Sequence, residues 1–256
     1  MSFHVIIPAR YASSRFPGKP LAKIQGKEMV CHVIDKAIAS GAKSVTVATD
    51  DQRIFDCVIA YGSKAVMTAS DHESGTDRLE EAASKLGLSD DDIVVNVQGD
   101  EPLINSLFIT QVAENLAQNP ACSVSTLCEP IHLVENYLNP NMVKVLWNNA
   151  HESLYFSRSP IPWDRDESLA ELSQFTTLPD HIHAYRHLGI YGYRVSALKS
   201  FVTWPVGRLE QLEKLEQLRF LEQGIKIHVS PVQAEGFPGV DTPEDLEHIQ
   251  TILGDQ

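Results

Sequence analysis

Strand-like and helix-like patterns alternate along the first hundred residues, and this alternation limits the possible folds more than any other feature of the chain. The pattern predicts strands over residues 5–8, 44–49, 65–67 and 93–97, with helices between them over residues 30–38, 52–61 and 76–85. Strands separated by single helices predict a Rossmann-like α/β fold, a mostly parallel sheet with right-handed crossovers and flanking helices. Ligands of such folds bind outside the carboxyl ends of the strands.

The second half of the chain is less regular. Strands without clear helices between them are predicted over residues 123–127, 143–147, 154–156 and 187–193. These strands indicate an added, smaller mixed-sheet region at roughly residues 123–194, which we interpret as a lid or a dimerisation element within one domain of residues 1–256. A long loop is predicted over residues 159–183, and two helices are predicted to close the chain, over residues 208–222 and from Pro243 onward.

The loop after the first predicted strand carries cations and no acid. Arg10, Arg15 and Lys19 lie in it, and no carboxylate precedes Glu28, although the whole chain has a formal net charge of −13. A basic loop at the carboxyl end of a strand suits a polyanion such as a triphosphate, although a solvated basic loop would look the same. The loop has neither the GK[ST] ending of a Walker A motif nor the three glycines of a dinucleotide fingerprint. Side-chain cations must therefore carry much of the recognition.

Two acidic segments are candidates for a magnesium site. Asp100 and Glu101 follow a buried strand, and Asp241 precedes the last predicted helix. Mg²⁺ prefers oxygen ligands and commonly bridges carboxylates to substrate phosphates, although an acidic turn and a helix cap need no metal. Residues Ser74 to Arg78 open a helix and are able to bind a base or phosphate, or simply to cap that helix. The close spacing of His181, His183 and His187 suggests zinc, which we discount because no cysteine lies near them.

Composition excludes several classes of protein. With 256 residues and 43% hydrophobic content, the chain is able to bury a large core. The negative net charge and the lack of a broad basic stripe argue against a nucleic-acid partner, and no apolar run approaches the roughly 20 residues needed for membrane insertion. The four cysteines show no disulfide or metal spacing, and the N-terminus shows no signal sequence, so we expect a cytoplasmic protein with reduced thiols.

Seven segments, in their order along the chain, together resemble the 3-deoxy-manno-octulosonate cytidylyltransferase family. They are spread over nearly the whole chain. They are Pro8–Pro20, Ser74–Arg78, Asn96–Pro102, Tyr155–Arg158, Arg186–Tyr193, Leu215–Arg219 and Gly239–Asp245. The resemblance implies a fold of the nucleotide-diphospho-sugar transferase type. It also implies that CTP and 3-deoxy-manno-octulosonate (Kdo) are converted to CMP-Kdo and pyrophosphate for lipopolysaccharide assembly, by a cytoplasmic enzyme that is commonly a homodimer.

The resemblance also implies roles for individual residues. On the nucleotide side it implies that Arg10, Arg15 and Lys19 bind the phosphates and act in catalysis with Asp100, while Ser74, Gly75, Arg78 and Gln98 surround the nucleotide. On the sugar side it implies Gln98, Arg158, His187, Tyr191, Glu216 and Gln217. Asp100 and Asp241 are implied as ligands of Mg²⁺. No residue between positions 166 and 185 receives a role.

Two alternatives to this reading are open. The first is another nucleotidyltransferase of the same fold, which would use UTP or CTP with a sugar phosphate or with sialic acid. The second is a module that binds CTP and leaves it intact. The motifs also do not separate Kdo from a close analogue such as 8-amino-Kdo, which presents the same carboxylate and anomeric centre.

Overall fold

The core of the fold is a mixed β-sheet with helices on both faces. The computed structural model of the protein describes residues 1–12, 16–72, 74–166, 168–233 and 239–254. The strands are β1 Phe3–Ala9, β2 Lys23–Ile24, β3 Lys27–Glu28, β4 Ser44–Thr49, β5 Lys64–Met67, β6 Ile93–Asn96, β7 Val124–Pro130, β8 Lys144–Trp147, β9 Ser153–Ser157, β10 Tyr185–Arg194 and β11 Ile227–Pro231. The helices are α1 Met29–Ala39, α2 Gln52–Ala60, α3 Gly75–Lys85, α4 Ser106–Gln118, α5 Val134–Leu138, α6 Leu169–Leu172, α7 Val195–Phe201, α8 Arg208–Glu213, α9 Gln217–Glu222 and α10 Pro243–Gly254.

The strand order of the main sheet confirms the predicted α/β class. The order is β11-β7-β10-β6-β1-β4-β5. Strand β1 is parallel to β4 and β6, and β4 is parallel to β5, so the carboxyl ends of these four strands lie at one edge. Strand β10 is antiparallel to β6 and β7, and the β8–β9 hairpin joins the sheet through β10. The added strands of the second half therefore extend the same sheet beside β6.

Side chains of β1 alternate between two apolar clusters because successive residues of a strand point to opposite faces. Val5 and Ile7 pack in a cluster with the buried residues of α1 and α4, and Ile6 packs in a second cluster with residues of α3 and α7. The sheet is thus buried on both faces, as expected for parallel strands covered by helices. No helix among the described residues is long and apolar enough to cross a membrane.

The predicted strands are confirmed with their ends shifted by no more than three residues, but several other elements were missed or misjudged. Helices α4 and α7 and strand β11 were not predicted, and the loop predicted over residues 159–183 contains the one-turn helix α6. The single helix predicted over residues 208–222 is wrong, because Lys214 adopts a left-handed conformation with φ of 55° and separates α8 from α9. That turn has a consequence for the site, since it brings residues 214–217 to a cavity.

Candidate functional site

Two adjoining cavities lie at the carboxyl ends of β1 and β6. The first, which we name the phosphate-side cavity, has a volume of about 450 Å³ and is lined by Pro8, Ala9, Arg10, Ala12, Lys19, Pro20, Gly75, Arg78, Gln98, Gly99, Asp100 and Asp241. The second, which we name the sugar-side cavity, has a volume of about 390 Å³ and is lined by Arg10, Gly75, Thr76, Asn96, Gln98, His187, Gly189, Tyr191, Tyr193, Lys214, Leu215, Glu216, Gln217 and Phe220. Arg10, Gly75 and Gln98 border both cavities.

The chain after β6 makes a close turn that positions Asp100. A Cβ atom at Gly99 would lie 2.9 Å from the backbone oxygen of Pro8, so only glycine allows this turn to pack against the end of β1. The backbone N–H of Val240 donates to the carbonyl oxygen of Asp100 at 2.8 Å, which brings Asp241 beside Asp100. Asp245 fixes the following turn by accepting from the backbone N–H groups of Asp241 and Thr242, each at 2.9 Å.

Lys19 joins the two acidic segments. Its ammonium contacts a carboxylate oxygen of Asp100, lies 3.2 Å from Oδ1 of Asp241 and donates to the carbonyl oxygen of Val240 at 3.0 Å. A cationic nitrogen therefore lies among three oxygen atoms at the wall of the phosphate-side cavity. Oxygen atoms converging on a cation are the donor set that Mg²⁺ prefers, so the residues fit a magnesium ion. Burial and the neighbouring Asp100 carboxylate raise the pKa of Glu101 to about 8, so its protonated form is favoured at neutral pH.

The other residues predicted on the nucleotide side differ in the ion pairs and hydrogen bonds that they form within the protein. Arg10 is exposed and forms no ion pair within the described part of the chain, so its guanidinium is available to a ligand. Arg78 is buried, and it pairs with Asp50 at 2.8 Å and also contacts the Thr68 hydroxyl. Arg78 thus reaches the cavity with its charge already compensated. Arg15 lies outside the described residues.

The N-terminus of α3 borders both cavities. Ser74 does not line either cavity, and its hydroxyl accepts from the backbone N–H of Asp77 at 3.1 Å in a capping box. Gly75, the first residue of α3, lines both cavities without a side chain. The first N–H groups of a helix and its dipole favour a bound anion, so this end of α3 adds to the positive potential of Arg10 and Lys19.

Glu216 is the carboxylate of the sugar-side cavity. Its Oε2 accepts from the Thr76 hydroxyl at 2.8 Å, and burial raises its pKa above the ordinary value. Gln217 lies beside it and is 7% exposed. Acceptor and amide groups set close together in a partly buried cavity suit the hydroxyl groups of a sugar.

His187 enters the same cavity as a neutral imidazole. The Thr126 hydroxyl lies 2.8 Å from the carbonyl oxygen of Ile190 and donates to it, so it accepts from Nε2 of His187 at 2.9 Å. This network assigns the proton of the ring to Nε2 and leaves Nδ1 as an acceptor. Burial, with the nearby Arg186 cation, lowers the pKa of His187 to about 3.

Arg158 is the one predicted sugar-side residue that the structure places outside both cavities. Its Nε donates to the carbonyl oxygen of Glu213 at 2.6 Å, and its Nη1 donates to that of Pro140 at 3.0 Å. Its Nη2 lies 3.5 Å from the carbonyl oxygen of Lys214. The guanidinium thus contacts the backbone oxygen of Pro140 and two backbone oxygens at the turn between α8 and α9, next to the cavity wall.

Several lining residues received no role from the sequence, among them Thr76, Asn96, Tyr193 and Lys214. For Asn96 a signal was present, because it lies two residues before Gln98 and alternate residues of a strand share a face. For Lys214 no signal was present, since its position depends on the turn that separates α8 from α9.

The chain is similar to known cytidylyltransferases in sequence and in fold. A sequence model of the family described as Cytidylyltransferase matches residues 4–227. A 3-deoxy-manno-octulosonate cytidylyltransferase of Cellvibrio japonicus is 54% identical over 253 residues, which are 99% of this chain and 98% of that protein. One of Alcanivorax borkumensis is 52% identical over the full length of both chains, 256 residues. The solved structure of a CMP:2-keto-3-deoxy-manno-octonic acid synthetase complexed with CTP is 42% identical and superposes with a TM-score of 0.88, covering 100% of this chain and 99% of that one.

An α/β sheet with two adjoining polar cavities at the carboxyl ends of its strands, together with the matching family model, defines a nucleotidyltransferase of the cytidylyltransferase class. At 50–54% identity over essentially the whole length of six relatives, the chain belongs to the 3-deoxy-manno-octulosonate cytidylyltransferase family.

Proposed function

We propose that the two cavities hold the two substrates of one reaction, in which CMP is transferred from CTP to the anomeric hydroxyl of Kdo with release of pyrophosphate. The family membership supports this activity. One observation supports the assignment of CTP to the phosphate-side cavity and of Kdo to the sugar-side cavity: the two cavities share a border formed by Arg10, Gly75 and Gln98. An α-phosphate in the first cavity and a sugar hydroxyl in the second would meet at this border.

Arg10 and Lys19 would bind the phosphates of CTP, and the N–H groups at the start of α3 would donate to a phosphate oxygen. We place Arg78, Ser74 and Gln98 around the nucleotide as supporting groups. Arg78 shapes the cavity wall with its charge compensated by Asp50. Ser74 fixes the start of α3 through its cap.

Asp100 and Asp241 would hold Mg²⁺, since both carboxylates contact the same ammonium of Lys19 and therefore converge on one point. When bound, the ion would neutralise charge on the α-phosphate and on the leaving pyrophosphate. Lys19 would then turn from the carboxylates toward the triphosphate, because a cation cannot remain in the position that the ion takes.

On the sugar side, Glu216, Gln217, Tyr191 and the Nδ1 acceptor of His187 would bind the hydroxyl groups of Kdo. The Kdo carboxylate needs a cation, and Arg10 and Lys214 are the arginine and lysine that line this cavity among the described residues. Arg158 would act as a positioning residue, because it holds the carbonyl oxygens of Glu213 and Lys214 beside the cavity.

The chemistry we propose is an in-line displacement by the anomeric hydroxyl on the α-phosphorus, with no covalent enzyme intermediate. Two anions must be brought into contact, and fixed cations on a shared border lower the repulsion between them. The protein's own contribution is therefore positioning and charge compensation.

Pyrophosphate release tests this proposal. The protein is assayed with CTP, UTP, ATP or GTP and with Kdo, 8-amino-Kdo or sialic acid, in the presence of Mg²⁺, and Asp100→Asn serves as the inactive control. We expect release with CTP and Kdo. Faster release with UTP or with sialic acid would assign another nucleotidyltransferase activity, and CTP binding without any release would assign a sensor.

We also propose that the enzyme is a cytoplasmic homodimer. The dependence on CTP supports the compartment, and sedimentation velocity of the purified protein measures the oligomeric state. A monomer at micromolar concentration would contradict the dimer.

A further inference from the structure

A buried amide without a hydrogen-bond partner lies on the floor of the sugar-side cavity. Asn96 is the last residue of β6 and is only 4% exposed. Its Oδ1 is inaccessible to solvent and has no hydrogen-bond partner within the described residues. Asn96 lies directly opposite Tyr191 in the antiparallel register of β6 and β10, and both residues line the cavity.

An unpaired buried carbonyl destabilises a folded protein, because the group loses its bond to water and gains nothing in return. Leu, which has the same number of side-chain heavy atoms, would occupy the same site without an unpaired polar group. The neighbouring position on the same face, Val94, is in fact apolar and fully buried. The amide at Asn96 is therefore costly for the free enzyme. Because Oδ1 itself is closed to solvent, a ligand would reach this amide through the part of Asn96 that lines the cavity, and a hydrogen bond made there would offset the cost.

We propose that Asn96 binds a hydroxyl group of the acidic sugar and is a specificity-determining residue of this site. A hydroxyl both donates and accepts, so it satisfies either end of the amide. Asn96 lines the sugar-side cavity and not the phosphate-side cavity, which assigns it to the sugar and not to the triphosphate. The inference rests on the proposed division of the two substrates between the cavities.

The same sheet provides a matched control. Thr46, on β4, is 1% exposed, and its Oγ1 also has no partner within the described part of the protein. Thr46 lines neither cavity. Thr46→Val and Asn96→Leu therefore each remove one buried, unpaired polar group from a neighbouring region of the same sheet, and only the second change affects the cavity.

The test measures unfolding midpoints and KM for both substrates in the two variants. We expect both variants to be at least as resistant to thermal unfolding as the wild type. We expect Asn96→Leu alone to raise the KM for Kdo, by about tenfold or more, with the KM for CTP within twofold of wild type. If Asn96→Leu does not fold, Asn96→Val, which is smaller and suited to a strand, is measured in the same way with the same expected result.

Monodeoxy analogues of Kdo identify the contact. We expect the wild type to bind one analogue more weakly than Kdo and the Asn96 variant to bind that analogue and Kdo equally. A KM for Kdo that matches wild type in Asn96→Leu would overturn the inference. Glu216→Gln, measured in parallel, separates a failure of the role of Asn96 from a failure of the proposed division of the substrates between the two cavities. If it raises the KM for Kdo and Asn96→Leu does not, only the role of Asn96 is wrong. If neither variant changes it, the division of the site is wrong.

Discussion

Replacing Lys19 by Met should strengthen the binding of a divalent cation to the nucleotide-free protein. The ammonium of Lys19 contacts the carboxylates of Asp100 and Asp241, which are the proposed magnesium ligands. An incoming dication must displace this ammonium and is also repelled by it. Met retains most of the apolar length of the side chain and removes only the charge.

The magnitude follows from the exposure of the three groups. Two unit charges about 4 Å apart near a protein surface interact by about 4 kcal/mol, and fully exposed pairs by about 0–1 kcal/mol. The side chain of Lys19 is 14% exposed, that of Asp100 is 27% exposed and that of Asp241 is 48% exposed, so the pairs fall between these limits. We therefore expect a gain of about 1.4–3 kcal/mol in cation binding, which is roughly tenfold to a hundredfold in affinity.

The assay titrates Mn²⁺ into the protein without CTP and follows free Mn²⁺ by electron paramagnetic resonance. Lys23→Met is the control, because it removes the same charge from a side chain that is 65% exposed and lies outside both cavities. In the presence of Mg²⁺, Lys19→Met should weaken CTP binding more than CMP binding, since only CTP carries the β- and γ-phosphates. Equal Mn²⁺ affinity in Lys19→Met and Lys23→Met would refute the reasoning.

Three further predictions concern single residues of the site. Asp100→Asn should retain the unfolding midpoint and lose turnover by several orders of magnitude, and a small loss of turnover in steady-state assays would remove Asp100 from the magnesium site. Arg158→Ala should leave the part-buried carbonyl oxygen of Glu213 without its donor, lower stability by about 1–2 kcal/mol in denaturant titrations and raise the KM for Kdo but not for CTP; unchanged stability would contradict its positioning role. The pKa of His187 falls from 6.5 in the unfolded chain to about 3 in the fold, so the unfolded chain binds the extra proton between these values and stability should fall as the pH falls below 6.5. His187→Gln should reduce this slope by up to about 1.4 kcal/mol per pH unit in denaturant titrations at pH 5 and 6, and an identical slope in both proteins would refute the assignment.

The sequence was sufficient for the parallel half of the sheet because its signals are local. Strand β4 was predicted with its observed ends, and Gly99 and Gly75 lie at turns and helix starts that their neighbours also indicate. Helix α4 was missed although its apolar residues Phe108, Val112 and Leu116 repeat every four positions after a capping asparagine. The local sequence therefore contains the signals for α4.

The turn at Lys214 and the surroundings of Arg158 are different, because no local pattern encodes them. Leucines repeat every three residues from Leu209 to Leu221 and predict one helix, while the left-handed residue between the two observed helices is a lysine and not a glycine. The conformation is stabilised by distant contacts, among them the Arg158 guanidinium on the carbonyl oxygens of Glu213 and Lys214. The motif that contains Arg158 gives no sign of these contacts, because Glu213 and Lys214 lie more than fifty positions away along the chain.

The passage between the two cavities depends on the side chain that residue 75 lacks. A Cβ atom at Gly75 would have no neighbour within 4 Å, so the space beside it is open, and both cavities border that space. The φ angle of Gly75 is not positive, so the backbone there does not require glycine. What glycine provides is access, because the first N–H groups of α3 face a ligand without a side chain between them. The reacting phosphate and hydroxyl must approach in line at this border, and the absence of a side chain at residue 75 is therefore as much a part of the site as Arg10 and Gln98 on either side of it.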